Sequence, residues 1–129
     1  MEPGPISQII TKQEREYIIE HEHSKILLKF DVNPPLIKIS IHDYDSPQNF
    51  FYENTFNKES LSKINKIFLM FESVDEILPI FISLIENKKY VLKKISENEF
   101  DLILKVQILI KEEEINLIFL KIIISPKMI

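Results

Sequence analysis

The sequence predicts an α+β fold, a mainly antiparallel β-sandwich or barrel of about seven strands with a helix-turn-helix inserted after the fourth. Three observations carry this. Over residues 17–56 and 90–124, Ile, Leu, Val, Phe and Tyr recur largely at period two, the spacing of strands. Over residues 56–89 apolar residues recur every three or four positions, the spacing of a helix face. Turn-forming residues, Asn33-Pro34-Pro35 and the segment 43–49, fall between the alternating runs.

Taken in order, residues 1–16 read as an N-terminal arm, with two prolines and the one glycine of the chain near its start. YIIEHEH is the first strand, with Tyr17 and Ile19 on one face. KILLKFDV is the second, with Ile26, Leu28, Phe30 and Val32 inward, and a hairpin joins the two. Pro34 and Pro35 stop it, because neither can donate to a ladder. LIKISIH is the third strand and places Ile37, Ile39 and Ile41 together. A short aromatic strand over 50–56 is the fourth.

Asn57 is placed to cap the first helix, whose stripe is Leu61, Ile64, Phe68 and Phe71, ending near Glu72. Ser73-Val74-Asp75-Glu76 has the form of a capping box for the second helix. That helix carries Ile77, Leu78, Phe81, Ile82, Leu84 and Ile85. Pro79, just past its first turn, implies a bend or a later start. YVLKKIS, NEFDLILKVQILI and EINLIFLKIII are the closing strands. The polar run Lys111 to Glu114 is expected to form a loop longer than two residues, since it lacks glycine. Leu117 and Phe119 oppose Ile118, Leu120 and Ile122, so the last strand is apolar on both faces, as in strands covered twice. The globular unit therefore spans 17–124, with 125–129 a tail.

At 129 residues the chain is one domain with room for a substantial core. It contains no alanine, cysteine or tryptophan and much Ile, Lys and Asn, a bias we read as that of an AT-rich genome. The net charge of −4 argues against gripping a phosphate backbone directly. Without cysteine there is no disulfide and no thiolate metal site. No apolar run is long enough for a membrane span, and the first residues lack a secretory pattern, so a cytoplasmic or nuclear protein is expected.

Chemistry-bearing patterns are sparse. His21 and His23, two apart on a strand, would share a face, and His42, Asp43 and Asp45 could complete a metal shell. A polar hairpin end facing water is the preferred reading, because nothing fixes a third ligand. Asp43, Asp45 and Glu53 could form a carboxylate pair, yet their setting is ordinary turn composition and implies no pocket. Lys88, Lys89, Lys93 and Lys94 around Tyr90 read as a solvated helix end and strand edge. One glycine in the whole chain leaves no phosphate-cradling loop. No catalytic residue, cofactor or metal is expected.

The order of four strands, a helical pair and three strands resembles a globular head domain. The superfamily is that of the DNA end-joining ligase scaffold, its paralogous joining factors and the centriolar cartwheel protein of the spindle assembly abnormal family. The phrase from Phe56 through Leu61, Ile64, Phe68, Phe71, Ser73 and Asp75-Glu76-Ile77 is similar to one in protist proteins bearing such a head. The resemblance covers roughly residues 17–124 and implies a non-enzymatic head that pairs through exposed hydrophobic loops or strand edges. It implies a coiled coil to follow, whereas Ser125-Pro126 stands where that coil would begin. The expected function is an interaction and assembly module, self-associating or docking a protein partner in a cytoskeletal, centriolar or DNA-repair setting. Phe50, Phe51, Tyr52, Ile118, Leu120, Ile122 and a hairpin tip at Glu112 to Glu114 are the candidate contacts. Uptake of a peptide by strand addition is the alternative, with metal binding at His21 and His23 a third.

Overall fold

The computed structural model describes residues 13–46 and 48–124. Seven strands form one antiparallel sheet: β1 (Gln13–His21), β2 (Ser24–Asn33), β3 (Leu36–Asp43), β4 (Phe50–Phe56), β5 (Tyr90–Ser96), β6 (Glu99–Ile108) and β7 (Lys111–Ile123). Their order is β1-β2-β3-β4-β7-β6-β5. Between β4 and β5 lie helix α1 (Lys58–Ile64), a 3-10 helix (Lys66–Met70) and helix α2 (Val74–Glu86). The predicted α+β class and the placement of the helices after the fourth strand hold. The sheet is single and curls into a half-barrel rather than splitting into a sandwich. The curl brings His21 of β1 edge-on to Phe100 of β6, 5.5 Å between ring centroids.

The inner face of the curl is the core. Leu28, Phe30, Val32, Ile37, Ile39, Ile41, Leu102, Leu104, Leu117 and Phe119 are buried there, as the period-two reading of these strands requires. Val74, Ile77, Leu78, Phe81 and Ile85 make the buried stripe of α2, which lies across the concave side against β2, β3 and β6. Phe81 meets Phe30 and Phe68 at centroid distances of 6.4 and 5.9 Å. Truncating so central a ring costs roughly 3 to 5 kcal/mol.

Four local expectations are corrected. First, β1 begins at Gln13, so residues 13–16 of the expected arm extend the edge strand; residues 1–12 and 125–129 lie outside the described residues. Second, the single stripe over 61–71 is not one helix. Asn65 is extended (φ −153°, ψ 135°) and divides it, so Leu61 and Phe68 are buried while Ile64 is exposed. Third, Ser73 begins α2 without accepting a capping bond: its hydroxyl donates to Asp75 Oδ1, and Glu76 Oε1 instead accepts from the N–H of Glu72 at 2.8 Å. Pro79 sits inside the helix, which starts where the sequence placed it. Fourth, the β6–β7 loop has two residues, Leu109 and Ile110, because Ile108 pairs with Lys111; the acidic run 112–114 belongs to the strand.

Other expectations hold at the level of single bonds. Asn57 caps α1, its Oδ1 accepting from the Ser60 N–H at 2.7 Å while Ser60 Oγ accepts from the Asn57 N–H at 2.9 Å. Pro34 and Pro35 make the two-residue turn between the paired Asn33 and Leu36, joined by a cis bond. At the end of α2, Lys88 takes the left-handed conformation (φ 58°), and the N–H groups of Lys88 and Lys89 reach back to the carbonyls of Ile85 and Leu84. That is the geometry glycine usually supplies.

Candidate interaction surfaces

Three regions gather the residues with chemical or adhesive character. The first is the end of the sheet at the β1–β2 turn. Glu22 (φ 50°) and His23 (φ 70°) form that turn, with His21 and Ser24 paired on either side. Two positive φ values define a type I′ hairpin. His21 therefore ends a strand while His23 sits in the turn, and the shared-face geometry expected of the two histidines is absent. His21 turns toward a cavity of about 310 Å³ also lined by Ile26, Ile41, Phe50, Tyr52, Lys94 and Phe100. Its Nε2 is buried without a hydrogen bond and lies 3.8 Å from Glu22 Oε1.

The carboxylates near this end serve the β3–β4 turn. Asp43 Oδ1 accepts from the Ser46 N–H at 3.0 Å and Asp45 Oδ2 from the Lys25 N–H at 3.3 Å. Glu53 stands apart on β4, between Ser40 and Leu120. Among the described residues no group of three His, Asp or Glu side chains could hold a metal ion. Tyr52 donates its hydroxyl to the Glu97 carbonyl at 2.8 Å, and burial, then the Glu97 charge, raises its pKa above the ordinary 10.0. Lys121 lies over Phe50, 4.4 Å from the ring centroid. The lysines around Tyr90 do not converge: Lys94 pairs with Glu97 at 3.7 Å, while Lys88 belongs to the helix cap.

The second region is the outer face of the sheet. Because β4 alternates, Phe50 and Tyr52 turn inward and Phe51 outward, so the FFY segment is split between two faces. Phe51 stacks on His42, 4.9 Å between centroids, and His42 Nε2 bonds Ser40 Oγ at 2.9 Å. Burial first, then the Lys29 charge, holds the His42 pKa below its ordinary 6.5, against a smaller opposing effect of Glu16. Ile122 pairs with Phe51 and is exposed, Leu120 is 57% exposed, and Ile118 is half-buried.

The third region is at the opposite end, where the hairpin tip expected at Glu112 to Glu114 is formed instead by Leu109 and Ile110. Leu109 (φ 58°) and Ile110 stand out from the β6–β7 turn, 92% and 97% exposed. Beside them Ile64, Ile67, Leu69, Met70 and Ile108 line an open groove of about 780 Å³. Asn65 joins its two walls. Its backbone N–H closes α1 on the Leu61 carbonyl, its Oδ1 accepts from Ile67 N–H at 2.9 Å, and its Nδ2 donates to Glu113 Oε1 of β7 at 3.0 Å. The one available signal was the run Gln107-Ile108-Leu109-Ile110, where alternation fails just before a charged run.

The fold is thus one curled antiparallel sheet with its helices inserted after the fourth strand. The crystal structure of the head domain of human CCDC61 superposes with a TM-score of 0.66 at 8% identity, over 88% of this chain and 99% of that one. The shared property at that identity is the fold. No family model matches the chain, and no curated protein matches it by sequence. Among the described residues no helix is long and apolar enough to cross a membrane.

Proposed function

We propose that the chain is a non-enzymatic interaction and assembly module that pairs with a second copy of itself through the β6–β7 tip. One observation carries this: Leu109 and Ile110 are almost wholly exposed beside an apolar groove on the same molecule. Contiguous apolar surface of this kind marks a contact site. Because tip and groove are neighbours, a two-fold arrangement seats each tip in the other molecule's groove, and both are covered at once. The outer face, with Phe51, Ile118, Leu120 and Ile122, is a separate proposed docking surface, while Phe50 and Tyr52 shape the inner cavity.

The setting we favour is cytoskeletal or centriolar scaffolding, by analogy with cartwheel-type heads, over DNA end joining, since a chain of net charge −4 is poorly matched to a phosphate backbone. Sedimentation equilibrium from low micromolar to near millimolar concentration tests the pairing. A reversible rise in mass, abolished by Leu109→Asp with Ile110→Asp, is the expected result. A strict monomer throughout would remove self-assembly and leave docking of another protein.

Strand addition is the second reading, favoured by one feature of β1. His21 and Ser24 flank a two-residue turn, so alternation directs the backbone groups of Glu16, Ile18 and Glu20 away from β2. Among the described residues no strand pairs on that side. Protection of these three amides from hydrogen exchange on adding an extended peptide would support it, and unchanged exchange would count against it.

A further inference from the structure

The sheet ends in two edges, β1 and β5, that run in the same direction. Six antiparallel pairings separate them, so these outermost strands are parallel to each other. They also border common cavities. Ile18 and Ile19 of β1 and Tyr90 of β5 line one of about 540 Å³, floored by Ile85 of α2, while His21 and Lys94 both line the cavity of about 310 Å³. Two parallel edges cannot continue the antiparallel pattern by joining directly, whereas one strand antiparallel to both continues it on each side. The alternating pattern thus has a place for an eighth strand.

The backbone groups of the two edges have the alternation that such a strand needs. On β1 the groups directed away from β2 belong to Glu16, Ile18 and Glu20, whose side chains are on the outer face. On β5 the Lys89 carbonyl accepts from the Lys105 N–H at 2.9 Å, so Val91 and Lys93 face β6 while Tyr90, Leu92 and Lys94 face away from it. Their side chains are on the inner face, that of buried Leu92. Among the described residues no strand pairs with either edge. In one inserted strand, alternate residues then bond β1 with side chains outward and β5 with side chains inward. The neighbour β2 displays the side chains that fit. Its Lys25, Leu27 and Lys29 stand across from Glu20, Ile18 and Glu16, with Lys29 Nζ 3.8 Å from Glu16 Oε2. The other flank of that row is the free edge, where Ile18 of β1 and Val91 and Ile95 of β5 are exposed. Cross-strand pairing therefore calls for a basic, an apolar and a basic residue at every second position.

We propose that an extended segment of a partner protein inserts between β1 and β5, antiparallel to both, and closes the half-barrel. Its residues read basic, apolar, apolar, apolar, basic. The first, third and fifth meet Glu20, Ile18 and Glu16 on the outer face, and the second and fourth turn inward toward Ile19 and Tyr90. This rests on the strand-addition reading of β1 and extends it to a second edge and a sequence pattern.

The probe is the peptide Thr-Lys-Val-Ile-Val-Lys-Thr, blocked at both ends and titrated onto the intact chain, with amide hydrogen exchange as the readout. Protection of Glu16, Ile18 and Glu20 together with Tyr90 and Leu92 is expected. N-methylation of the two valines removes only the donors aimed at β5 and should weaken binding about tenfold. Replacing both lysines of the peptide with glutamate should weaken it several-fold, and Glu16→Lys with Glu20→Lys should reverse that preference. Protection on β1 alone, indifferent to N-methylation, would overturn the proposal and leave strand addition at β1 standing. No protection on either edge would remove both. Protection of both edges without peptide would mean that they are already filled, by the chain itself if it persists on dilution and by a second copy if it does not, and would overturn the proposal too.

Discussion

The two ends of the sheet solve the same problem with opposite chemistry. Each carries a two-residue hairpin turn with left-handed backbone and no glycine. At the β1–β2 end the turn residues are Glu22 and His23, polar side chains facing water, beside a cavity lined in part by aromatic rings. At the β6–β7 end they are Leu109 and Ile110, which are ill suited to the turn and to the water around it. Positive φ costs a branched residue on the order of 1 kcal/mol, and exposure forfeits what burial of its side chain would contribute. Local preference and solvation are both violated at one place, a conflict that the proposed pairing would relieve.

The comparison breaks most decisively at the apolar tip. Leu109→Asp with Ile110→Asp should weaken self-association at least about hundredfold, since burying two such side chains is worth roughly 3 kcal/mol or more. The melting temperature should stay close to that of the parent, because neither side chain contributes to the core. Unaltered mass in sedimentation would make the two ends equivalent after all. Next, Leu109→Gly separates backbone from side chain. Thermal unfolding should show a gain of about 1 kcal/mol from relief of the left-handed leucine, with weaker association; a loss of stability would mean that the leucine supports its own turn.

His42, near the polar end, gives a smaller effect that depends on pH. Its folded-state pKa lies below the ordinary 6.5, so the unfolded chain takes up the proton first as pH falls. Its contribution to stability is complete above about pH 6.5 and is lost as pH falls through the folded-state value. Urea midpoints between about pH 7.5 and 5 should therefore decline less in His42→Gln than in the parent. Equal declines would mean that the ring pays no desolvation on charging. Smallest of all, replacing Glu22-His23 with Asn-Gly should add a few tenths of a kcal/mol, the preference of a type I′ turn, and leave the association constant unchanged.

Most of the sheet was legible because a buried face imposes period two, and the inward sets of β2, β3, β6 and β7 follow it without exception through the core. The helical stretch was legible as a stripe but not as a path. Nothing at Asn65 distinguishes a helix interior from a break; its double role emerges only when Glu113 of β7 comes within bonding distance. The short β6–β7 turn is hidden in the sequence because glycine marks most such turns, while this chain has one glycine and uses lysine, leucine, glutamate and histidine at positive φ instead. Leu120 and Ile122 were identified on β7 by their alternation with Leu117 and Phe119, and the structure leaves both exposed.

The single residue Asn65 bears on how quickly the proposed pairing would form. Tied to the Leu61 carbonyl, the Ile67 amide and the Glu113 carboxylate, it fixes the groove wall against the hairpin that bears the tip. Under the proposed pairing, recognition would need no slow rearrangement before contact, and the encounter rate would be governed by diffusion and orientation. Complex lifetime, rather than the speed of meeting, becomes the quantity that substitutions in the groove would tune.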